Sequence, residues 1–513
     1  MKAETNLFRL FFVIALIPSF VMKAIVIGSG VAGLATSIRL AKLGIEVEVF
    51  EANEYPGGKL SEVTIQGFRF DAGPSLFTLP HLVNDLYELC GKNPKTDFPY
   101  IQLEKSCNYF YEDGTQFTAY HDRAAFANEL EQKINLQNTE PLFKYLDRAA
   151  LRYNLTTPIF IEYSLHRLKN YTNIHTLKGI LNTWKLNLFS SMNSENENTF
   201  NNSYLTQYFN RFATYNGSDP YQAPALLNMI PHLEHNVGTF FPKNGMHQIT
   251  QSLYQLAMEQ GVKFHFNHKV NEILITKGKV YGVLANQKLF KADLVISNAD
   301  VHSTYRNLLS KHKAPEYILK QEKSSSALIF YWGINKSFPQ FDLHNILFSA
   351  DYKTEFEHLF KHKTIYHDPT IYINITSKYK PDDAPQGCEN WFLMINVPNN
   401  SGQPWDELIQ TARKHILQKL QRMLQVNVAS LITCEHILEP RSIESKTSSY
   451  AGALYGNASN NRYAAFLRHK NFSSEYKGLY FCGGSVHPGG GIPLCLNSAK
   501  IVAQLIKEDY TCN

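Results

Sequence analysis

Cysteine is scarce in this chain of 513 residues. The seven cysteines are odd in number, lie far apart in the sequence and never form a C-x-x-C pair. This pattern excludes a disulfide framework and a cysteine-based zinc site, and it indicates a reduced, intracellular protein without a structural metal.

Charge of one sign is also in short supply. The net charge is only +5, and the chain contains no zinc-finger, homeodomain or RNA-binding-sheet motif, so a nucleic-acid partner is not expected. A hydrophobic fraction of 44% and a charged fraction of 19% are typical of a folded globular protein. The length indicates two or three domains.

Long apolar runs are missing after Met22, where no stretch approaches the roughly twenty apolar residues that cross a membrane. Before Met22, "LFRLFFVIALIPSFV" (7–21) resembles the apolar core of a signal peptide, but it lacks a small-x-small cleavage site. Met22 and Lys23 then repeat the opening dipeptide. We expect that translation begins at Met22 and that residues 1–21 are not part of the natural protein. An apolar anchor is the alternative.

Glycine is concentrated in two places, the first near the start of the chain. Residues 24–52 read "AIVIGSGVAGLATSIRLAKLGIEVEVFEA", with Gly28, Gly30 and Gly33 between an apolar strand and a helix, and Glu51 ending a second strand. This order is that of a dinucleotide-binding unit. The glycines allow a tight turn, the approach of a pyrophosphate and close packing of helix on strand. The helix N-terminus attracts the phosphates, and the acid accepts hydrogen bonds from a ribose.

The residues just after Glu51 favour a flavin over a nicotinamide cofactor. Gly57, Gly58 and Lys59 form an extension that many flavin enzymes of the two-dinucleotide-binding type carry. Lys59 is placed to bring a cation close to the pyrophosphate. Only one G-x-G-x-x-G fingerprint is present, so a second site for NADPH is not expected.

The second glycine cluster lies near the C-terminus. Residues 478–500 read "GLYFCGGSVHPGGGIPLCLNSAK", which predicts a buried strand, a glycine loop and a closing helix that begins at about Ile492 and Pro493. Backbone N–H groups and a helix N-terminus stabilise negative charge, such as that of a reduced flavin. Side chains there would block a planar ring, so we expect Gly484 and Gly491 to contact the cofactor. A purely structural β-turn-α unit is the alternative.

Composition divides the rest of the chain. The segments 91–235 and 302–425 are the predicted substrate domain, the first being rich in aromatic, Asn and Leu residues. A flavin-binding domain is predicted in three parts, 22–90, 236–301 and 426–513, after an N-terminal extension, 1–21. Within the second part, "ADLVISNAD" (292–300) predicts a strand that returns to the central sheet.

A basic stretch lies inside the substrate segment. Residues 163–192 contain no acid but carry four bases among apolar residues: Arg167, Lys169, Lys178 and Lys185. This pattern is typical of an amphipathic helix pair on an anionic membrane surface. A solvated basic face on the substrate domain is the alternative.

Several motifs together resemble one family. They are "GSGVAGLATSIRLAKLGIEVEVFEANEYPGGKL" (28–60), "FDAGPSLFT" (70–78), "RFATYNGSDPYQAPA" (211–225), "FFPKNGM" (240–246) and "HPGGGIP" (487–493). In this combination the chain resembles the bacterial phytoene desaturase family of flavin-dependent carotenoid desaturases, over essentially its whole length from Met22. The C-terminal glycine motif is most similar to the branch that desaturates the 3,4 bond of 1-hydroxylated acyclic carotenoids.

This resemblance implies an α/β fold: a Rossmann-type FAD-binding domain of the glutathione-reductase-like, two-dinucleotide-binding type, with an inserted mixed α+β substrate domain. The implied cofactor is FAD. The resemblance places Gly58, Lys59 and Gly73 at the flavin end and the strand around Val270 against the adenine. It adds Ile492 and Pro493 to the flavin contacts.

The implied reaction introduces a C=C bond into an acyclic carotenoid by hydride transfer to the flavin, with oxygen or a quinone as electron acceptor. The hydride abstraction is accompanied by loss of a proton, and the resemblance names no acid–base residue, since positioning in an apolar tunnel can do most of the work. His487, the one ionisable side chain of the glycine loop, is a candidate proton acceptor, with a structural role in the loop as the alternative. His232 and His235 are candidates to meet a terminal hydroxyl, although such histidines are more often satisfied polar residues.

A lipophilic carotenoid has to be taken from a bilayer, so the resemblance implies peripheral binding at the cytoplasmic side of the membrane. Four rival functions remain open: a phytoene desaturase, a carotenoid isomerase, a flavin amine oxidase and a non-catalytic carotenoid carrier. A carrier would not reduce its flavin when carotenoid is added.

Overall fold

A computed structural model describes residues 22–167, 186–461 and 467–511. The strands, in chain order, are β1 (Lys23–Ile27), β2 (Glu46–Phe50), β3 (Ser61–Ile65), β4 (Phe68–Ala72), β5 (Tyr100–Gln102), β6 (Lys105–Phe110), β7 (Gln116–Tyr120), β8 (Phe240–Pro242), β9 (Lys263–His265), β10 (Val270–Thr276), β11 (Lys279–Ala285), β12 (Lys288–Lys291), β13 (Leu294–Ser297), β14 (Ser326–Ile334), β15 (His344–Leu347), β16 (Ile371–Ile375), β17 (Glu389–Val397), β18 (Ile432–Leu438) and β19 (Leu479–Phe481). The helices of eight residues or more are α1 (Val31–Lys42), α2 (His81–Leu89), α3 (Arg123–Ile134), α4 (Glu140–Phe160), α5 (Met192–Phe200), α6 (Ser203–Asn210), α7 (Gln248–Glu259), α8 (Trp405–Leu424), α9 (Pro440–Thr447) and α10 (Ile492–Thr511).

The first sheet is parallel and covered on both faces. Its strand order is β19-β13-β1-β2-β9, and all four pairings are parallel. Helices α1, α7 and α10 pack on one face, and the antiparallel sheet β10-β11-β12 packs on the other. Because both faces are buried, strands such as "AIVI" are continuously apolar. This is the Rossmann-type arrangement that the sequence predicts, including the return of the strand within 292–300 to the sheet.

The carboxyl ends of these parallel strands all lie at one edge of the sheet. The residues that follow are Gly28 after β1, Glu51 after β2, Asn298 after β13 and Cys482 after β19. The two glycine clusters, distant in sequence, therefore face each other across the edge where α/β sheets bind ligands.

The second sheet has seven strands in the order β18-β14-β17-β16-β15-β6-β7. Helix α8 covers one face, burying Trp332, Trp391 and Ile416. The opposite face turns toward the first domain, where Phe68 and Phe70 of the β3-β4 hairpin pack against it. The second sheet is thus apolar on both sides and lies beside the glycine loops.

One predicted boundary is wrong. The sequence assigns residues 426–513 to the flavin domain, but β18 within that segment pairs antiparallel with β14 of the second sheet. The physical reason is that β14 is buried along its whole length and needs a hydrogen-bonded neighbour on each side. The return to the first domain therefore lies after Leu438.

The expected membrane segments fall largely outside the described residues. Residues 1–21 and 168–185 lie there, so the predicted amphipathic helix pair is not tested. Arg167 is described, and it pairs with Asp509 of α10 at 2.8 Å while its guanidinium lies 4.5 Å from the centre of the Phe472 ring. Within the described ranges, no helix combines the length and the apolar character needed to span a bilayer.

Candidate flavin-binding site

The first glycine loop has the geometry that its three glycines predict. Gly28 has φ 94°, and a Cβ on Gly33 would lie 2.1 Å from the carbonyl oxygen of Gly28. Gly30 is the N-cap of α1, and no side chain caps the free N–H groups of the first turn. These N–H groups are thus available to an anion, as in other phosphate-binding helix termini.

The Gly57-Gly58 turn lies flat on this loop. The Gly57 N–H donates to the Ser29 carbonyl at 3.0 Å, and a Cβ on Gly58 would lie 3.4 Å from the Gly30 Cα. Gly58 has φ 59°. The extension after Glu51 therefore returns to the phosphate loop, which brings Lys59 beside it.

Glu51 is buried at the end of β2, with its carboxylate fully bonded. Its Oε2 accepts hydrogen bonds from the Ser29 N–H and Oγ, both at 2.8 Å, and its Oε1 accepts from the Asn53 N–H and Nδ2, both at 3.0 Å. These bonds hold the acid against the first glycine loop. A ribose bound there would compete with Ser29 and Asn53 for the same oxygens.

Val270 lies next to this acid. The main chain of Glu51 is bonded on both sides, from its N–H to the His265 carbonyl and from the His268 N–H to its carbonyl, at 2.9 and 2.8 Å. Val270 is the first residue of β10, two residues after His268, and it is buried. The placement is compatible with an adenine contact, which stays a prediction.

Lys59 is a half-buried cation that forms no salt bridge with a carboxylate within the described ranges. Its Nζ donates to the carbonyls of Ala453 and Leu454 at 3.2 and 2.8 Å. Burial lowers the pKa of Lys59, and the charge of Asp300 partly opposes this. Gly73 packs on the same residue, since a Cβ there would lie 1.8 Å from the Lys59 carbonyl oxygen.

The C-terminal glycine cluster closes the opposite side. A Cβ on Gly484 would lie 3.2 Å from the Gly490 Cα, so the loop folds tightly on itself. Gly491 has φ 104° and no atom within 4 Å of the position of a Cβ. Helix α10 begins at Ile492, with Pro493 as its second residue, and its first bond runs from the Cys495 N–H to the Gly491 carbonyl. An open glycine therefore lies directly before a helix N-terminus.

Two polar residues that the sequence analysis did not identify hold the loops together. Asn298, just after β13, donates from Nδ2 to the Gly28 carbonyl at 3.2 Å, and a Cβ on Gly483 would lie 2.8 Å from its Oδ1. Arg468 is 4% exposed and donates to the carbonyls of Tyr455, Asn457 and Gly484. The position of Asn298 at the end of a parallel strand was a usable signal. Nothing local marks Arg468.

Two cations of the site, Lys59 and Arg468, are held by main-chain carbonyls. Among the described residues no carboxylate is paired with Lys59 or Arg468, and burial lowers the pKa of Arg468 to about 10. Cys495 lies within the electrostatic reach of both cations, yet burial raises the pKa of its thiol to about 11. A neutral thiol thus lies between two cations and a helix N-terminus, a combination suited to an anionic ligand.

Comparison with known proteins identifies the kind of site. A family model described as flavin containing amine oxidoreductase matches residues 31–507. The chain belongs to this family. It is similar to the 1-hydroxycarotenoid 3,4-desaturase of Flavobacterium sp. (strain P99-3), with 54% identity over 94% of this chain and 99% of that protein. It is also similar to the 4,4'-diapolycopene oxygenase of Methylomonas sp., with 32% identity over 95% of this chain and 98% of that protein.

The fold agrees with solved structures. An oxidoreductase from Methanosarcina mazei superposes with a TM-score of 0.59 at 18% identity, covering 95% of this chain and 100% of that one. The predicted fold class is confirmed, and the protein is an FAD-dependent oxidoreductase.

The residues present fit FAD. Two helix N-termini, two unpaired cations and an open glycine beside α10 supply the donors and the clearance that a pyrophosphate and a planar ring require. In this assignment Gly28, Gly30, Gly33, Gly58 and Lys59 would hold the pyrophosphate. Gly484, Gly491, Ile492 and Pro493 would face the ring. These residue assignments stay predictions. Bound FAD supplies the capacity to accept a hydride.

The three histidine candidates are held in place by the protein itself. His487 is 2% exposed, and its Nε2 donates to the Tyr163 carbonyl at 2.9 Å, while burial lowers its pKa to about 4. This favours the structural alternative for His487. His235 bonds to the Tyr208 hydroxyl at 2.6 Å and stacks on Phe126.

His232 bonds to Asn236 at 2.7 Å, and its ring lies 4.7 Å from that of Tyr153. Neither His232 nor His235 is brought to the glycine loops by these contacts. His232 has the form of a satisfied polar residue, whereas the buried Nδ1 of His235 has no hydrogen-bond partner among the described residues. In the part of the chain that the structure describes, no group of three His, Cys, Asp or Glu side chains is arranged to hold a metal ion.

Proposed function

We propose that the protein is an FAD-dependent carotenoid desaturase that introduces the 3,4 double bond into a 1-hydroxylated acyclic carotenoid. The observation that carries this proposal is the 54% identity with the Flavobacterium desaturase over nearly the whole of both chains. The relative with oxygenase activity is much less similar. A substrate with a hydroxyl near the reacting bond therefore fits better than an unsubstituted polyene.

The second sheet offers a wall for such a substrate. Its face toward the glycine loops is made of large apolar and aromatic side chains: Ile329, Tyr331, Ile346, Phe392 and Met394. Leu454, whose carbonyl binds Lys59, packs into the same cluster. The wall thus begins at the flavin site and excludes water from the reacting C–H bond. Because that bond is unactivated, the positioning of the substrate against the wall supplies much of the catalysis.

The proposal extends to the membrane. Tyr317 and Leu467 are 67% and 47% exposed, and with Phe160 and Leu165 they line a cleft that reaches Arg468. Phe189, at the end of the basic stretch, is 88% exposed. Exposed aromatic and aliphatic side chains beside bases suit a peripheral contact with the cytoplasmic leaflet. A membrane quinone, or oxygen, would then reoxidise the flavin.

Pigment analysis tests the function. The Met22 form is expressed in cells that accumulate a 1-hydroxylated acyclic carotenoid, lycopene or phytoene, and the pigments are compared by absorbance and mass. We expect loss of two hydrogens and a red shift from the hydroxylated substrate alone. Colour from phytoene would assign a phytoene desaturase instead. Fractionation of the same cells tests the membrane contact. The enzyme should sediment with the membranes and be released from them by a wash that contains no detergent. An enzyme found entirely in the supernatant would contradict the membrane contact.

A further inference from the structure

The position of the substrate hydroxyl is constrained by the proposed reaction, on which this inference rests. In a 1-hydroxylated carotenoid, C1 is separated from C3 by a single carbon. With bonds of about 1.5 Å, the hydroxyl oxygen lies roughly 3–5 Å from the carbons that are desaturated. A group that recognises the hydroxyl must therefore lie at the flavin end of the apolar wall.

Ser75 lies at this end. It lies in the turn after β4, two residues after Gly73. Gly73 in turn packs against the carbonyl of Lys59. Its side chain is partly exposed, and its Oγ is 2.7 Å from the Tyr372 hydroxyl on the facing sheet. The contact bridges the two domains across the place where the cofactor site meets the wall.

Ser75 is the first member of a hydrogen-bond chain. The Tyr372 hydroxyl also contacts His344 Nδ1 at 2.7 Å, and Asn374 Nδ2 donates to that nitrogen at 3.2 Å. Because an amide NH2 group only donates, the contact with Asn374 makes His344 Nδ1 an acceptor and assigns the ring proton to Nε2, a buried nitrogen without a partner among the described residues. Burial lowers the pKa of His344 to about 4, which keeps the ring neutral.

The direction of the hydrogen bonds from Ser75 through Tyr372 to His344 follows from this tautomer. Tyr372 donates to His344, so its oxygen accepts the hydroxyl proton of Ser75. The lone pairs of Ser75 Oγ are then left to accept one further hydrogen bond. Because each donor polarises the next, this oxygen is a stronger acceptor than an isolated serine.

The side chains beside Tyr372 in the sheet are apolar, while the charges of Arg211 and Glu234 reach both Tyr372 and His344. Tyr372 lies opposite Met394 and Ile346 in the sheet, and its ring is 6.1 Å from that of Phe392. A polar group at one point of an apolar wall orients a ligand that is otherwise a hydrocarbon. We propose that Ser75 accepts a hydrogen bond from the C1 hydroxyl of the substrate, and that Tyr372 and His344 orient its oxygen for this purpose.

Equilibrium binding to the chemically reduced holoenzyme tests the subsite, since reduced flavin cannot turn the substrate over. The dissociation constants of a 1-hydroxylated acyclic carotenoid and its non-hydroxylated parent are measured in detergent micelles from the carotenoid absorbance. We expect the wild type to prefer the hydroxylated ligand about tenfold, and Ser75→Ala and Tyr372→Phe to lower this ratio about 5- to 10-fold. The FAD content of each variant is measured in the same samples.

Tyr111→Phe is the matched control, because Tyr111 donates to the Tyr204 carbonyl at 2.9 Å and lies just after β6. It should keep the wild-type ratio. A ratio that survives in both Ser75→Ala and Tyr372→Phe overturns the subsite while leaving the proposed function intact.

Tyr331 is the rival, since its buried hydroxyl on the same sheet face has no hydrogen-bond partner among the residues that the structure describes. Loss of the preference in Tyr331→Phe alone would assign the hydroxyl to Tyr331 and overturn the proposal for Ser75. A wild type that neither prefers nor desaturates the hydroxylated carotenoid would instead contradict the proposed function.

Discussion

At the scale of single residues, the charge around Cys495 shows how the site favours an anion. Lys59 and Arg468 are bonded to main-chain carbonyls, which satisfy their N–H groups without neutralising their charge. A carboxylate paired with either side chain would have neutralised its positive charge. With FAD bound, the retained charge would stabilise the anionic, reduced flavin relative to the oxidised form.

Replacing the Cys495 thiol by a carboxylate tests this field. We expect Cys495→Asp to lower the two-electron reduction potential of the bound flavin by about 30–60 mV, which corresponds to about 1.4–2.8 kcal/mol. The physical reason is that a negative charge opposes the charge of the reduced ring and pairs with the two cations. Spectroelectrochemical titration of the holoenzyme measures the potential.

Cys495→Asn is the control, since it has the same size as aspartate and no charge. The reduction potential of the flavin in this variant should stay within about 10 mV of the wild-type value, which corresponds to less than about 0.5 kcal/mol. Equal potentials in the Asp and Asn variants would show that the flavin does not sense this position.

At the scale of elements, the packing of α1 on β1 decides whether the phosphate loop forms. Gly33 is in helical conformation, so a substitution there meets a steric barrier and no backbone strain. The helix approaches the strand so closely that its N–H groups reach the loop. The same logic applies to α10 and the C-terminal glycine loop.

Gly33→Ala tests the close packing. Its methyl group would overlap the Gly28 carbonyl oxygen, so we expect the free energy of unfolding to fall by about 1–3 kcal/mol and the FAD content of the purified protein to fall with it. Ser37→Ala, one turn further along α1, removes a bond to the Leu34 carbonyl and should cost about 1 kcal/mol or less with full FAD content. Equal FAD content and stability in the two variants would refute the steric argument.

Elements whose chemistry is local were predictable. The two glycine loops and the helix start at Ile492 follow from residues within a few positions of each other. The placement of β18 at the edge of the second sheet was not predictable, because its pairing partner β14 lies about a hundred residues away in the sequence. The contact between Ser75 and Tyr372 joins positions 297 apart, and no pattern in either segment indicates the other.

At the scale of the whole molecule, the two sheets divide the work. The parallel sheet gathers Gly28, Glu51, Asn298 and Gly483 at one edge and so builds the cofactor site from four distant segments. The antiparallel sheet presents an apolar wall to that edge. The family was predictable because its motifs lie in the short loops and turns at and near the glycine-rich edge, where the chemistry is local. The partners that hold Lys59 and Arg468 required the tertiary structure.

The most direct measurement mixes the purified holoenzyme with a 1-hydroxylated acyclic carotenoid in the absence of oxygen and follows flavin absorbance and product mass in a single turnover. The account predicts bleaching of the flavin together with a product lighter by two hydrogens, in equal amounts. Unchanged flavin with bound, unmodified carotenoid would contradict desaturation and indicate a carrier.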